Sequence, residues 1–300
     1  MADRDRLVVL TDAQWAALEP LIEACRPRGK TPHHDLRRTI EAIIWRHENG
    51  AKWRSIPPEL GPWWMAAQTF NRWGHLGVWE RLLEAAQAGG VALGMAFLDG
   101  SNIRAHQKAA GAARNSATQA ERDDREALGR SRGGFGTKAC VVAEAGGRAV
   151  SFALAPGQAH ELPIVPGLLG CLPDVPGWVV GDRGLASHAF RQHIWDLGAR
   201  PAIPPKRNEE PVACPPWIYH NRNRVERFWA RLKEWRAVAT RYEKTARAFL
   251  DVLCMAATMD WLKPGFPVWP ALCWRESARF ALISSSLRHR RWRLHGTPSG

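Results

Sequence analysis

The stretch "KACVVAEAGGRAVSFALAPG", Lys138 to Gly157, holds two short Val/Ala/Phe-rich runs separated by Gly146-Gly147. Runs of that length bounded by turn residues read as strands, and a Gly-Gly step between them reads as a β-hairpin, because glycine takes the positive φ of a tight turn without steric cost. "GMAFLDG" (94–100) upstream, and "GWVVGDRG" (177–184) and "ARPAIPP" (199–205) downstream, have the same character. Helical stretches lie between the later strands: "HELPIVPGLLG", "SHAFRQHIWDLG" and, after the fifth strand, a long segment beginning at Tyr219.

The resulting order is three strands opening with a hairpin, then helix, strand, helix, strand, helix. That is a mixed α/β sheet, in the order of the ribonuclease H-like fold. Residues 91–262 therefore read as one ribonuclease H-like domain. Residues 1–90 read as a small all-helical domain. There "TDAQWAALEPLIEA" spaces Trp15, Leu18 and Ile22 along one helical face after an N-cap at Thr11 or Asp12, and "HDLRRTIEAIIWRHENG" closes on Asn49-Gly50. A third segment, "WWMAAQTFNRWGHLGVWERLLEAAQ", divides at Gly74 to Gly77 into two short helices. Gln68, Asn71 and Arg72 could read DNA bases from the second helix of a helix-turn-helix, or decorate the surface of a helical cap. Lys108 to Arg130 is a polar surface excursion, and residues 263–300 form a basic tail expected to be flexible.

Lys and Arg number 42 against 29 Asp and Glu, for a net charge of +13. Such an excess points to a polyanionic partner, with nucleic acid ahead of an acidic membrane surface. No apolar run is long enough to span a bilayer, and "MADRDRLVVLTD" has no signal-peptide core, so a cytoplasmic, nucleoid-associated protein is expected. The six cysteines are scattered without metal-ligand spacing and read as reduced, mostly buried thiols.

Two carboxylates stand at strand ends, Asp99 in "FLDGS" and Asp182 in "VVGDRG". In the inferred order their strands are neighbours, so the acids would sit side by side where open α/β sheets bind ligands. Close anions repel unless a cation joins them, and hard oxygen donors suit Mg²⁺ or Mn²⁺. Asp-Gly and Asp-Arg-Gly are also ordinary turn sequences. A third acid, Glu226, lies in "YHNRNRVERFWARLKEW". At about 100° per residue, Tyr219, Arg222, Glu226 and Lys233 fall on one helical stripe beside the apolar face of Val225, Phe228, Trp229 and Leu232. An ordinary Arg222–Glu226 ion pair would account for one member of that stripe only.

Tyr219, Arg222, Glu226 and Lys233 match Y-x2-R-x3-E-x6-K, and the chain resembles bacterial insertion-sequence DDE transposases of the IS-five family. The strings "RSRGGFGTKACVV", "APGQAHE", "VVGDRG" and "RNRVERFWARLKEWRAVATRYEKTA" carry the likeness, as does the front from "LTDAQWAALEPLI" to "GAKWRSIPPELGPW". Leu185 and Ala186 depart from the Tyr and Asp usual after "GDRG", a change expected to weaken substrate contacts. The resemblance implies that Asp99, Asp182 and Glu226 hold two Mg²⁺ or Mn²⁺ ions. It further implies that Tyr219, Arg222 and Lys233 grip DNA, and that a homodimer pairs the terminal inverted repeats and joins them to target DNA. Arg224 and Arg231 are expected to add DNA contacts along the same basic segment. The alternatives are a DNA-binding protein that has lost its chemistry and a metal-dependent nuclease without strand transfer.

Overall fold

The computed structural model describes residues 7–28, 35–110, 118, 121 and 125–263; the basic tail and most of the polar excursion lie outside them. Four helices come first: α1 (Asp12–Cys25), α2 (Leu36–Glu48), α3 (Trp63–His75) and α4 (Val78–Ala86). Thr11 is the N-cap of α1, closing a capping box in which its hydroxyl accepts from Gln14 N at 3.2 Å and Gln14 Oε1 accepts from Thr11 N at 2.9 Å. Asp35 caps α2, and Gly50 past its end has a φ of 58°.

Seven strands follow in one sheet: β1 (Ala96–Ala105), β2 (Gly129–Ser131), β3 (Gly134–Ala143), β4 (Ala149–Pro156), β5 (Trp178–Val180), β6 (Arg200–Ala202) and β7 (Thr240–Arg241). The helices interspersed with them are α5 (Val165–Leu169), α6 (His188–Asp196), α7 (Pro216–Tyr219), α8 (Asn223–Leu232), α9 (Arg236–Ala239) and α10 (Ala246–Trp261). β3 lies between β1 and β4, antiparallel to both, while β5 is parallel to β1 and to β6. The main path β4-β3-β1-β5-β6 is the ribonuclease H-like arrangement. The hairpin expected at Gly146-Gly147 is present, with Gly147 at a φ of 80°.

Alternate residues of β1 feed two cores. Phe97 and Ile103 face a large cluster that takes in α1 to α4, α8 and α10, whereas Ala96 and Leu98 face a smaller one built with α5 and α6. The large core crosses residue 90 without a break: that position marks a change of secondary structure, and α4 packs on the buried α10. Leu185 and Ala186 are both buried in the smaller core, so they do not face substrate.

Three expectations are corrected here. The connection from α2 to α3 runs through two 3-10 turns, Trp53–Ser55 and Pro58–Leu60, so the tight turn at Gly77 follows α3 and does not precede it. A helix-turn-helix with α3 as its second helix is therefore not formed. β1 does not end at Asp99 but continues to Ala105; it is β5 that stops, its last pairing being Val180 with Phe97. The helix begun near Tyr219 is also interrupted, by a 3-10 turn at His220–Arg222, and Lys233 is the C-cap of α8.

Candidate active site

The early end of β5 opens one edge of β1. Parallel register pairs Phe97 with Val180, and two residues further on each chain lie Asp99 and Asp182. Asp182 caps the 3-10 turn Arg183–Leu185, its carboxylate accepting from Gly184 N at 2.9 Å, which fixes the side chain at the opening. Asp99 is 12% exposed. Burial lifts its pKa from 3.8 to about 6; Arg222 works against that rise, while the charges of Glu161 and Asp182 add to it.

Helix α8 brings the third acid. Its apolar stripe, Val225, Phe228, Trp229 and Leu232, is buried in the large core, which leaves Glu226 in the first turn at the exposed flank. Arg222 spans the gap: Nη2 donates to Asp99 Oδ1 at 2.8 Å and Nη1 donates to Glu226. Its Nε is buried without a partner among the described residues. Beyond the helix, Lys233 Nζ donates to Ser101 Oγ at 2.7 Å and lies over the Trp229 ring. Two cations thus strap α8 across β1, one at Asp99 and one at Ser101, on the face opposite to Gly100.

The structure therefore brings Asp99, Arg222 and Glu226 into direct contact, sets Asp182 beside them, and places Lys233 one β-repeat along. Tyr219 is half-buried against the large core. Arg224 and Arg231 point to the other side of α8. Arg224 donates to the Ala145 carbonyl, and Arg231 forks onto Asp260 at 2.9 and 2.8 Å while donating to Gly147 O at 3.0 Å. Both residues dock α8 on the β3–β4 hairpin and on α10. Gln68, Asn71 and Arg72 are exposed on α3, with the Asn71 amide bonded back to Ala67 O.

Sequence reasoning missed a charged pair at this centre. Glu161 Oε1 accepts from Lys138 Nζ at 2.9 Å, both side chains being largely buried. In "GQAHE" His160 is exposed, and the residue turned inward is its neighbour Glu161.

The donor set suits a hard divalent cation in its chemistry, since all the acids are carboxylates and Asp99 is already strained by burial and like charge. Among the described residues no three His, Cys, Asp or Glu side chains converge on one point. Arg222 supplies the positive charge between Asp99 and Glu226, and a cation there would take over its role.

Comparison with known proteins gives the family of the chain. Residues 10–83 match the family described as "Putative transposase of IS4/5 family", and residues 95–212 and 179–263 match two families each described as "Transposase DDE domain". The chain belongs to the DDE transposases of bacterial insertion sequences. A relative from Sinorhizobium fredii (strain NBRC 101917 / NGR234), the uncharacterized protein y4sN, is 30% identical over 105 residues, covering 35% of this chain and 83% of that protein. Among solved structures, the chain is similar to the piggyBac transposase of a synaptic complex with hairpin DNA, at a TM-score of 0.44 and 10% identity over 96% of this chain and 81% of that one. As a DDE transposase the protein is a DNA-binding polynucleotidyl transferase, and domains of this kind use divalent metal ions. Among the described residues no helix is long and apolar enough to cross a membrane.

Proposed function

We propose that this transposase cuts DNA at the ends of its insertion sequence and joins the freed 3'-hydroxyl to target DNA, with Asp99, Asp182 and Glu226 as its catalytic carboxylates. The observation that carries the reading is the Asp99–Arg222–Glu226 contact at the opening where β5 ends. Mg²⁺ or Mn²⁺ bound by these acids, two ions on this reading, supplies activation of the attacking oxygen and charge neutralisation at phosphorus.

The protein's own groups do the rest. Arg222, a planar fork now spent on two carboxylates, exchanges them for the oxygens of a DNA phosphate, and Lys233 adds a point charge nearby. Tyr219 borders the same stripe. In the first step water attacks phosphorus at the element end and the P–O bond to the 3' oxygen breaks. In the second that 3'-hydroxyl attacks a target phosphodiester. Each step exchanges one P–O bond for another, so neither a covalent enzyme intermediate nor an energy source is required.

Residues 219–250 hold nine Lys or Arg against three Glu, which supports a DNA path along this segment and a steep loss of affinity with salt. We assign reading of the terminal inverted repeats to the helices of residues 1–90, with Gln68, Asn71 and Arg72 as the exposed candidates, and pairing of the two ends to a homodimer acting at the nucleoid. The test is a pre-cut end bearing a free 3'-hydroxyl, incubated with a supercoiled target plasmid and Mg²⁺. Covalently joined product that disappears with a 3'-deoxy end supports strand transfer. Cleavage of intact ends without any joined product would instead identify a nuclease.

A further inference from the structure

The segment "GRSRGGFG", Gly129 to Gly136, is a hairpin of β2 and the start of β3 whose root is fixed and whose tip is free. At the root, a Cβ on Gly136 would lie 2.6 Å from Ile103 O, and the Gln158 amide fills the side-chain space of Gly129. The Thr137 hydroxyl donates to Ala127 O at 2.7 Å, and Arg241 donates to both. At the tip, Ser131 Oγ donates to Gly134 O at 3.2 Å and Gly134 takes a φ of 99°, which closes the turn. No described residue comes within 4 Å of a Cβ built on Gly134.

That tip carries Arg130, Arg132 and Phe135, all exposed, Phe135 at 55%. Arg130 pairs across the hairpin with Phe135, so the two side chains share one face. Neither Arg130 nor Arg132 has a hydrogen bond or ion pair among the described residues, and the segment holds no acid. A single exposed apolar side chain is ordinary on a protein surface. A phenyl ring beside two unpaired guanidinium groups, on an arm with a rigid base, is instead the form of an apolar wedge that enters DNA between phosphates.

The arm stands on the same side of the sheet as the acids. Strand register matches Asp99 with Val141 and Ile103 with Thr137, and side chains alternate along β3, so Phe135 lies on the Asp99 face. On that face Arg222 joins Asp99 to Glu226 and Lys233 reaches Ser101. Gly136 pairs with Arg104, five residues past Asp99 and beyond the end of β5, and Phe135 is one step further. Six steps of about 3.3 Å make roughly 20 Å, or about six base pairs of B-DNA.

We propose that the β2–β3 hairpin is a wedge for target DNA. Phe135 enters between two base pairs from the minor groove, with Arg130 and Arg132 on the flanking phosphates, about six base pairs from the phosphate under attack. The inference rests on the strand-transfer reading above. Target DNA is the occupant because the hairpin offers a ring and positive charge but no side-chain amide or acid to read base edges. It therefore senses how easily a duplex opens, whatever its sequence.

The test joins pre-cut ends, by the full chain, to a linear target duplex carrying one mismatch, a step that costs less to unstack. With wild type, joining should concentrate about six base pairs from the mismatch, at least about fivefold over matched positions. Phe135→Ala should lose that preference and join a matched target at least about tenfold more slowly, while binding the ends as wild type does. Phe135→Leu, still an apolar wedge, should keep the preference, and circular dichroism confirms that each variant is folded. Replacing Arg130 and Arg132 together by Ala should reduce the slope of log affinity for target against log salt by about 2, a slope that Phe135→Ala leaves unchanged. Joining by Phe135→Ala at the wild-type rate and positions would overturn the proposal and leave strand transfer standing. A wild-type dimer that dissociates in Phe135→Ala, seen by analytical ultracentrifugation, would overturn it by making the hairpin a contact between copies. No joining by the wild type would bring down strand transfer itself, and the wedge with it.

Discussion

Replacing Asp99 by Asn should make the protein more stable, and only at neutral and alkaline pH. The buried carboxyl has its pKa raised from 3.8 to about 6, and this is the net result after the favourable pairing with Arg222. At about 1.4 kcal/mol per pH unit, the gap amounts to about 3 kcal/mol of folding free energy. The sign follows from linkage: the folded value lies above the unfolded one, so the penalty is absent below pH ~4 and complete once pH has risen through ~6. Asn is neutral at every pH and escapes it. For a chain of 300 residues, 3 kcal/mol corresponds to a rise in Tm of roughly 5 °C at pH 8. Thermal unfolding of wild type and Asp99→Asn at pH 4 and pH 8, both without metal, reads the effect directly. Mg²⁺ should raise the Tm of the wild type at pH 8 and leave that of the variant nearly unchanged. A variant less stable than wild type at pH 8, or shifted equally at both pH values, would refute the view that this carboxylate is held at an energetic cost.

Other perturbations address the surroundings. Arg222→Ala should abolish end cleavage while Mn²⁺ binds no more weakly than to wild type, measured without DNA, because the cation no longer competes with a guanidinium. Arg231→Ala should cost about 1–2 kcal/mol in urea unfolding, below the ~3–5 of a fully buried pair because Arg231 is half-exposed, with the salt dependence of DNA binding unchanged. Leu185→Ala should destabilise by about 2–4 kcal/mol through a cavity in the smaller core, and Mn²⁺ affinity should stay at the wild-type value.

The hairpin at Gly146-Gly147 and the neighbouring β1 and β5 were legible because turn chemistry and strand order are local signals that short sequence windows carry. The level placement of Asp99 and Asp182 followed from that order, since their strands are parallel neighbours. Other features were hidden for physical reasons. β2 and β7, at three and two residues, are too short for any periodicity to show. "YHNRN" has no Pro or Gly to mark the break before α8, so a single helix was expected. α10 is buried on nearly all sides and lacks the one-sided stripe that sequence patterns reveal. The contacts Arg224 and Arg231 make within the chain depended on which flank of α8 meets the hairpin, which charge alone does not show. Glu161 was invisible because its place depends on a missing side chain at Gly100, a contact between distant parts of the chain.

The central claim is that Asp99, Asp182 and Glu226 form one metal-dependent cutting centre. The most direct measurement incubates labelled element ends with Mg²⁺ or Mn²⁺ and wild type, Asp182→Asn or Glu226→Gln, after confirming that all three bind the ends equally. Cleavage by the wild type alone, lost on chelation of the metal, is the expected result. Cleavage by Glu226→Gln at the wild-type rate would contradict the account.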